Sequence, residues 1–322
     1  MTKLSLAGLQ QILPARAKFA LKPYYRKVFP NRLHAYLYPT WRCNYRCSYC
    51  PVVTNFAFTS VVGRSGERTG EDWIAALEKL PPAMIYISGG EPFVYSDLSV
   101  VVNRLPEKHQ LQGIVTNLSL PASVYRKITK RIHLNASFHR EHTDVATFTT
   151  KVKELCDQFH IHVNIVATPE NLPLLDQISN DLAKSKVALH VDPYVDVRGF
   201  QYSDEQMKIV RRYVLSDRPP DTLTDYSDFA PKRCSAGRNY VTFSPDGSAY
   251  TCYGGMNFLH STLYSDIIPG RDLSPFRMGN LFDSDFRLND GDVVCSMPCN
   301  AACDLDMAII RRIEEAPRPV AP

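Results

Sequence analysis

Cys43, Cys47 and Cys50 lie within eight residues of one another, in the order Cys43-Asn-Tyr-Arg-Cys47-Ser-Tyr-Cys50. Three soft thiolates this close act as ligands to one metal centre, not as parts of a disulfide framework spread over a fold. The count itself carries chemistry. A cubane iron–sulfur cluster has four irons, so three protein ligands leave one iron open, as a catalytic zinc keeps one position for substrate. A structural zinc knuckle is the competing reading, and it usually needs four ligands in paired spacings.

A second motif, Ser88-Gly89-Gly90-Glu91-Pro92, follows an apolar run about forty residues later. Paired glycines let a backbone come close to a ligand, and a carboxylate beside them can accept hydrogen bonds from an ammonium group. Alone this is a turn motif. Its place after a strand makes it more.

The elements that must position both motifs follow from periodicity. Short apolar runs predict strands at Ala35–Tyr38, Met84–Ser88, Gly113–Thr116, His133–Phe138, His162–Ala167 and Ala188–Tyr194. Between them, helix-period segments predict helices at Glu71–Leu80, Asp97–Leu105, Ala122–Lys130, Asp144–Phe159 and Leu172–Lys184, with a last one at Asp204–Leu215. Repeated strand–helix units imply an α/β fold with a parallel sheet and right-handed crossovers. Six units are too few to close an eight-stranded barrel. The three cysteines then sit on the loop at the C-terminal end of the first strand, the edge where parallel α/β folds build their sites.

Residues 1–32 form a basic lead-in, with apolar positions such as Leu4, Leu9, Ile12 and Phe19 among Arg16, Lys18, Lys22 and Arg26. This reads as a surface helix closing the bottom of the following domain, or as a membrane or partner contact. The first domain spans 33–215, a Pro- and Asp-rich linker 216–232, a second unit 233–315 and a Pro-rich tail 316–322. In the second unit Tyr240–Ser244 and Ala249–Tyr253 flank Pro245-Asp246-Gly247, a hairpin signal, and a helix is expected near Leu305–Glu315.

The chain has 322 residues and a formal charge of +4, too modest to demand a nucleic-acid partner. No apolar run is long enough to span a membrane, and the start lacks the pattern of a secretory signal. Of nine cysteines, three lie early, five lie between Cys234 and Cys303, and Cys156 stands alone as a small buried hydrophobe. Clusters of this kind favour metal binding in a reducing cytosol, so a cytoplasmic protein is expected.

With Tyr49 before the last cysteine, Cys43-x3-Cys47-x2-Cys50 resembles the signature of radical S-adenosylmethionine enzymes, and Gly89-Gly90-Glu91-Pro92 matches the family's motif for the methionine amino group. The resemblance implies a partial (β/α)6 barrel, a 4Fe-4S cluster on Cys43, Cys47 and Cys50, and S-adenosylmethionine bound at its open iron. Thr116, Asn117 and Ser137 would touch the ribose or the methionine carboxylate, and the Val166-Ala167 backbone would meet adenine. Each of these also reads as an ordinary strand-end residue. Phe138-His139-Arg140-Glu141-His142, Asp192-Pro193-Tyr194 and Arg198 fall at strand ends facing the site. His139, Asp192 and Tyr194 are candidates for holding substrate or moving a proton, and Arg198 for gripping a carboxylate.

Cys234-Ser-Ala-Gly237, the hairpin, Cys252, Met278-Gly279-Asn280-Leu281 and Cys295-x3-Cys299-x3-Cys303 resemble the family's auxiliary-cluster extensions. The full extension, called SPASM, uses more than these five cysteines for two extra clusters. Five suit the shorter "twitch" form, with a second 4Fe-4S cluster on four of Cys234, Cys252, Cys295, Cys299 and Cys303. The spacing departs from the usual tight pairs, and zinc suits the same thiolates.

The resemblance implies reductive cleavage to a 5′-deoxyadenosyl radical that abstracts hydrogen from substrate, with an electron donor such as flavodoxin or ferredoxin. An auxiliary cluster suits a two-electron oxidation, either dehydrogenation of a small sugar-like molecule or modification of a ribosomally made peptide. The short lead-in is too small for a peptide-recognition domain, which favours the small molecule. Two readings of other kinds stay open: an iron–sulfur protein that binds S-adenosylmethionine without turnover, and a zinc-stabilised binding module.

Overall fold

The structure is a computed structural model that describes residues 32–50, 52, 66–194, 200–213, 228–260, 270–299 and 308–312. Six parallel strands pair in chain order: β1 (Leu33–Leu37), β2 (Ala83–Ile87), β3 (Gln110–Thr116), β4 (His133–Phe138), β5 (His160–Ala167) and β6 (Ala188–Pro193). Helices α1 (Gly70–Leu77), α2 (Leu98–Asn103), α3 (Ala122–Tyr125), α4 (Val145–Leu155), α5 (Leu175–Ala183) and α6 (Asp204–Tyr213) follow them. This is the α/β partial barrel expected of the sequence.

Alternation along each strand decides what faces where. In β1, Leu33, Ala35 and Leu37 join the main core with Trp73 and Leu77 of α1, while His34 and Tyr36 point to the opposite, inner face. The same alternation puts Leu134, Ala136 and Phe138 of β4 and Val163, Ile165 and Ala167 of β5 under the helices. Most of their inner positions are polar: His133, Asn135 and Ser137, then His162 and Asn164, with Val166 the apolar one at the end of β5. Helix starts are locally encoded. Thr69 and Asp72 form a capping box on α1, and Asp144 accepts from Thr147 N–H at 2.8 Å to start α4.

The sheet does not stop at six strands. β8 (Tyr240–Phe243) lies parallel beside β1, with His34 opposite Tyr240 and Leu37 opposite Phe243. Its hairpin partner β9 (Ser248–Tyr250) and then β10 (Arg277–Asn280) add antiparallel strands, giving nine in one sheet. Gly247, at φ +85°, makes the turn as Pro245-Asp246-Gly247 predicts. A small second sheet pairs β11 (Val293–Cys295), β7 (Lys232–Cys234) and β12 (Ile310–Arg312), all antiparallel.

Three expectations are corrected. The segment Ala122–Lys130 holds a single helical turn, because Asn103 takes Lys127 C=O and Thr129 N–H at 2.9 Å each and ends the ladder. The second hairpin strand ends at Tyr250, and Tyr253 opens helix α7 (Tyr253–His260). Around Leu305–Glu315 the described residues carry strand β12, not a helix, because β7 offers an edge to the β-branched Ile310. Of the lead-in only Arg32 is described; the tail 316–322 and most of the linker 216–232 lie outside the described residues.

Ile85, fully buried in the middle of β2, tests this core. Ile85→Ala is expected to destabilise the protein by about 2–5 kcal/mol, read as a lower urea midpoint at unchanged slope.

Candidate functional site

The three-cysteine loop is held by backbone. Leaving β1, the chain accepts Gly90 N–H at Thr40 C=O (3.0 Å) and Glu91 N–H at Arg42 C=O (2.8 Å), so it docks on the turn after β2. A Cβ on Gly90 would lie 2.2 Å from Arg42 O, and one on Gly89 2.4 Å from Thr40 O. Both glycines are therefore required by the approach of the cysteine loop itself. On that loop Cys50 N–H bonds Cys47 C=O at 3.1 Å, and Tyr45 N–H points at Cys43 Sγ at 3.3 Å. Burial pushes the thiols up, Cys43 to about 11 and Cys47 to about 12. Metal loading must therefore expel protons.

Glu91 is 1% exposed. Its carboxylate accepts from Asn117 N–H (2.6 Å), Thr116 Oγ1–H (2.8 Å) and Phe93 N–H (3.0 Å). Burial outweighs these donors and pushes its pKa up to about 7. The side chain thus ties the end of β3 to the glycine turn and caps the short 3₁₀ turn Pro92–Val94, and its oxygens face protein donors. Thr116 and Asn117 are spoken for in the same way: Asn117 Nδ2 also reaches Asn44 Oδ1 at 3.1 Å and Cys43 Sγ at 3.9 Å.

The segment after β4 closes over the other side of the loop. His139 Nδ1 lies 2.8 Å from Tyr49 Oη and 3.3 Å from Cys47 Sγ. Burial and neighbouring His142 push His139 down to about 4, so its ring is neutral at pH 7. The structure places it against the cysteine loop.

The inner face of β4–β6 carries a polar group near the C-terminal edge. Ser137, Asn164 and His190 are neighbours across the strands, with Asp192 two residues further up β6 on the same face. Asn164 Nδ2 donates to Asp192 Oδ2 at 2.5 Å, and His190 Nε2 lies 3.1 Å from Asp192 Oδ1. Burial disfavours the Asp192 charge, but His190 and Asn164 outweigh it and hold its carboxyl below the usual range. Its side chain is still 40% exposed, so the lumen reaches it. Asn135 Oδ1 and Asn164 Oδ1 are buried with no hydrogen-bond partner among the described residues. Opposite stands an aromatic wall: Tyr36 stacks on Tyr86 (5.2 Å between centroids) and on Tyr38 (5.8 Å). The wall runs on to Trp41 (4.8 Å from Tyr38) and Tyr253 (6.0 Å).

Cys234, Cys252, Cys295 and Cys299 line one cavity of about 40 Å³ with Lys232 and Met297. They come from β7, the start of α7, β11 and the turn after β11. Cys252 Sγ accepts Gly255 N–H at 3.1 Å at the helix N-terminus. Lys232 is 5% exposed, donates to the carbonyls of Asp228 and Ala230 at 3.0 Å and pairs with the Asp228 carboxylate at 3.4 Å.

The structure thus brings Cys43, Cys47, Cys50, Tyr49, Gly89, Gly90, Glu91, Pro92, Thr116, Asn117 and His139 to one edge. Ser137 and Asp192 lie on the inner face below it. At the end of β5 Ala167 C=O is taken by Tyr202 Oη at 2.6 Å, and the same hydroxyl accepts Tyr194 N–H at 2.6 Å. Arg198 and Cys303 lie outside the described residues. Sequence reasoning missed His190 and Asn164. Their signal was the polar member of each alternating pair in β5 and β6.

No protein-family model matches the chain. A curated relative, GTP 3′,8-cyclase of Aquifex aeolicus, is 23% identical over 254 residues, 66% of this chain and 79% of its own. Streptococcus suis SuiB bound to S-adenosylmethionine superposes with a TM-score of 0.54 at 15% identity, covering 77% of this chain and 69% of SuiB. The structure anSMEcpe with bound AdoMet and a peptide gives 0.50 at 14% identity, covering 78% of each chain. Fold, motif spacing and relatives agree on the radical S-adenosylmethionine superfamily.

Two outcomes are expected. Gly90→Ala forces the cysteine loop off its dock and lowers stability by about 1–3 kcal/mol, measured by urea unfolding of the apo-protein. Glu91 carries a raised folded pKa, so the folded chain keeps a proton that the unfolded chain has lost. Its contribution is full below its ordinary value of 4.5, falls as pH rises to about 7 and is flat beyond. Unfolding free energies measured across that window show this fall, and Glu91→Gln removes it.

Proposed function

We propose that the chain is a radical S-adenosylmethionine enzyme that oxidises a small hydroxyl-bearing, sugar-like molecule by two electrons, with a second iron–sulfur cluster to take up an electron. The observation that carries this reading is the pairing of two different cysteine centres. One has three thiols at the barrel edge, and the other has four around a cavity. Cys43, Cys47 and Cys50 would hold the first 4Fe-4S cluster. When bound, that cluster and S-adenosylmethionine would supply a 5′-deoxyadenosyl radical able to take a hydrogen atom from carbon.

The chain's residues divide the remaining work. With the Glu91 carboxylate turned to protein donors and the Cα faces of Gly89 and Gly90 covered by Thr40–Arg42, the carbonyls of this turn would be left to accept from the cofactor's ammonium. Ser137 faces the lumen for its ribose or carboxylate, and Thr116 and Asn117 act by fixing Glu91 and the loop. The Tyr36–Tyr86 wall offers ring faces to substrate. Asp192, ionised and open to the lumen, accepts the proton of a substrate hydroxyl, with His190 and Asn164 orienting it. The Oδ1 atoms of Asn135 and Asn164, without a partner among the described residues, are acceptors, which suits a ligand rich in hydroxyl donors.

Cys234, Cys252, Cys295 and Cys299 would hold the second cluster. A tetrahedral zinc with bonds of about 2.3 Å spaces its sulfurs about 3.8 Å apart. Among the described residues no three of these sulfurs lie within 4.8 Å of one another, which favours the wider cubane.

A second reading, modification of a peptide, draws support from SuiB, which has been solved bound to its precursor peptide SuiA and superposes at a TM-score of 0.52. The test uses anaerobically reconstituted protein with S-adenosylmethionine and a strong reductant. Wild-type is expected to release 5′-deoxyadenosine, and Cys47→Ala none. Sugars and polyols should raise that release where peptides do not, and Asp192→Asn should lower substrate oxidation about 100-fold or more. Stimulation by peptides alone would replace the first reading with the second.

A further inference from the structure

The contacts over the cysteine loop go beyond what three ligands need. All five residues from Tyr45 to Tyr49 are gripped by the segment after β4. The His142 ring stacks on Tyr45 at 4.2 Å, and its Nε2 accepts Arg46 N–H at 3.1 Å. Glu141 accepts Ser48 N–H at 2.9 Å and Ser48 Oγ–H at 2.5 Å. His139 takes Cys47 and Tyr49, as described above.

Two consequences bear on any centre held there. Peptide N–H groups beside a cluster can donate to its sulfurs and stabilise the extra electron of the reduced state. Here the N–H groups of Arg46 and Ser48 are committed to side chains. In addition, a Glu141 carboxylate oxygen lies within 4.8 Å of Cys47 Sγ, and Glu141 has no lysine or arginine partner among the described residues. An unneutralised negative charge at that range opposes further negative charge on the ligand and the iron behind it.

We propose that Glu141 and His142 form a positioning pair that clasps the cysteine loop and lowers the reduction potential of the iron–sulfur centre held by Cys43, Cys47 and Cys50. The inference rests on the reading of those cysteines as cluster ligands. Both act through the loop, by their contacts with Tyr45, Arg46 and Ser48. Cleaving a sulfonium needs a strongly reducing centre, and the clasp supplies part of that reducing strength from the second coordination sphere.

Glu141→Gln keeps an acceptor for Ser48 but removes the charge. His142→Phe keeps a ring on Tyr45 but frees Arg46 N–H. Both side chains are exposed, so the fold is expected to survive. Wild-type and variants are reconstituted anaerobically, and iron and sulfide are counted. The midpoint potential is then followed by electron paramagnetic resonance on the signal that shifts when S-adenosylmethionine is added. The expected result is a less negative potential in both variants, with wild-type iron content in Glu141→Gln and faster iron loss in His142→Phe. Wild-type potentials in both variants would overturn the proposal. A wild-type protein that binds no iron at the three cysteines would instead remove the reading beneath it, and the proposal with it.

Discussion

Everything at the barrel edge depends on one backbone contact, the docking of Thr40–Arg42 onto Gly89-Gly90. Two hydrogen bonds, Gly90 N–H to Thr40 C=O and Glu91 N–H to Arg42 C=O, extend the β1–β2 pairing past the end of the strands. They fix where Cys43 begins. The same turn delivers Glu91 into the protein, where Thr116 and Asn117 of the next strand close on it. Three successive strand ends are thereby locked together beneath the cysteine loop. The segment after β4 then closes the loop from the far side.

This arrangement separates holding from reacting. Thr40, Glu91, Thr116 and Asn117, which fix the base of the loop, are buried and bonded to one another or to the loop, and they leave few groups for a substrate. The inner face of β4–β6 is the reverse: Asp192 is charged and open, and two asparagine oxygens have no partner among the described residues. A rigid edge beside an unsatisfied lumen suits chemistry in which a reactive species must form in one fixed place and meet a substrate held by other residues.

The parallel barrel was legible in the sequence because each strand and helix has its own period and its own punctuation. His133–Phe138 appears with the bounds its alternation predicts, and the other strands shift by a residue or a few at their ends. The grouping of Cys43, Cys47 and Cys50 on one loop was legible because soft thiolates at short spacing have few uses other than a metal centre. Roles that depend on direction were not legible. The glycines at 89 and 90 read as room for a ligand, whereas the structure fills that room with the backbone of Thr40–Arg42. Glu91 read as a ligand carboxylate and turns inward. The hairpin around Asp246-Gly247 read as part of a separate extension, yet β8 pairs with β1, a contact some two hundred residues apart that no local pattern encodes. Nor could spacing reveal that Cys234, Cys252, Cys295 and Cys299, scattered over two strands, a helix start and a turn, line one cavity.

The central claim is that this chain builds two iron–sulfur centres from two cysteine sets. Diffraction from crystals of the anaerobically reconstituted protein, recorded on both sides of the iron absorption edge, tests it most directly. The account predicts two iron peaks, one bounded by Cys43, Cys47 and Cys50 and the other by Cys234, Cys252, Cys295 and Cys299. A peak at the first set alone, or a zinc edge at the second, would contradict it.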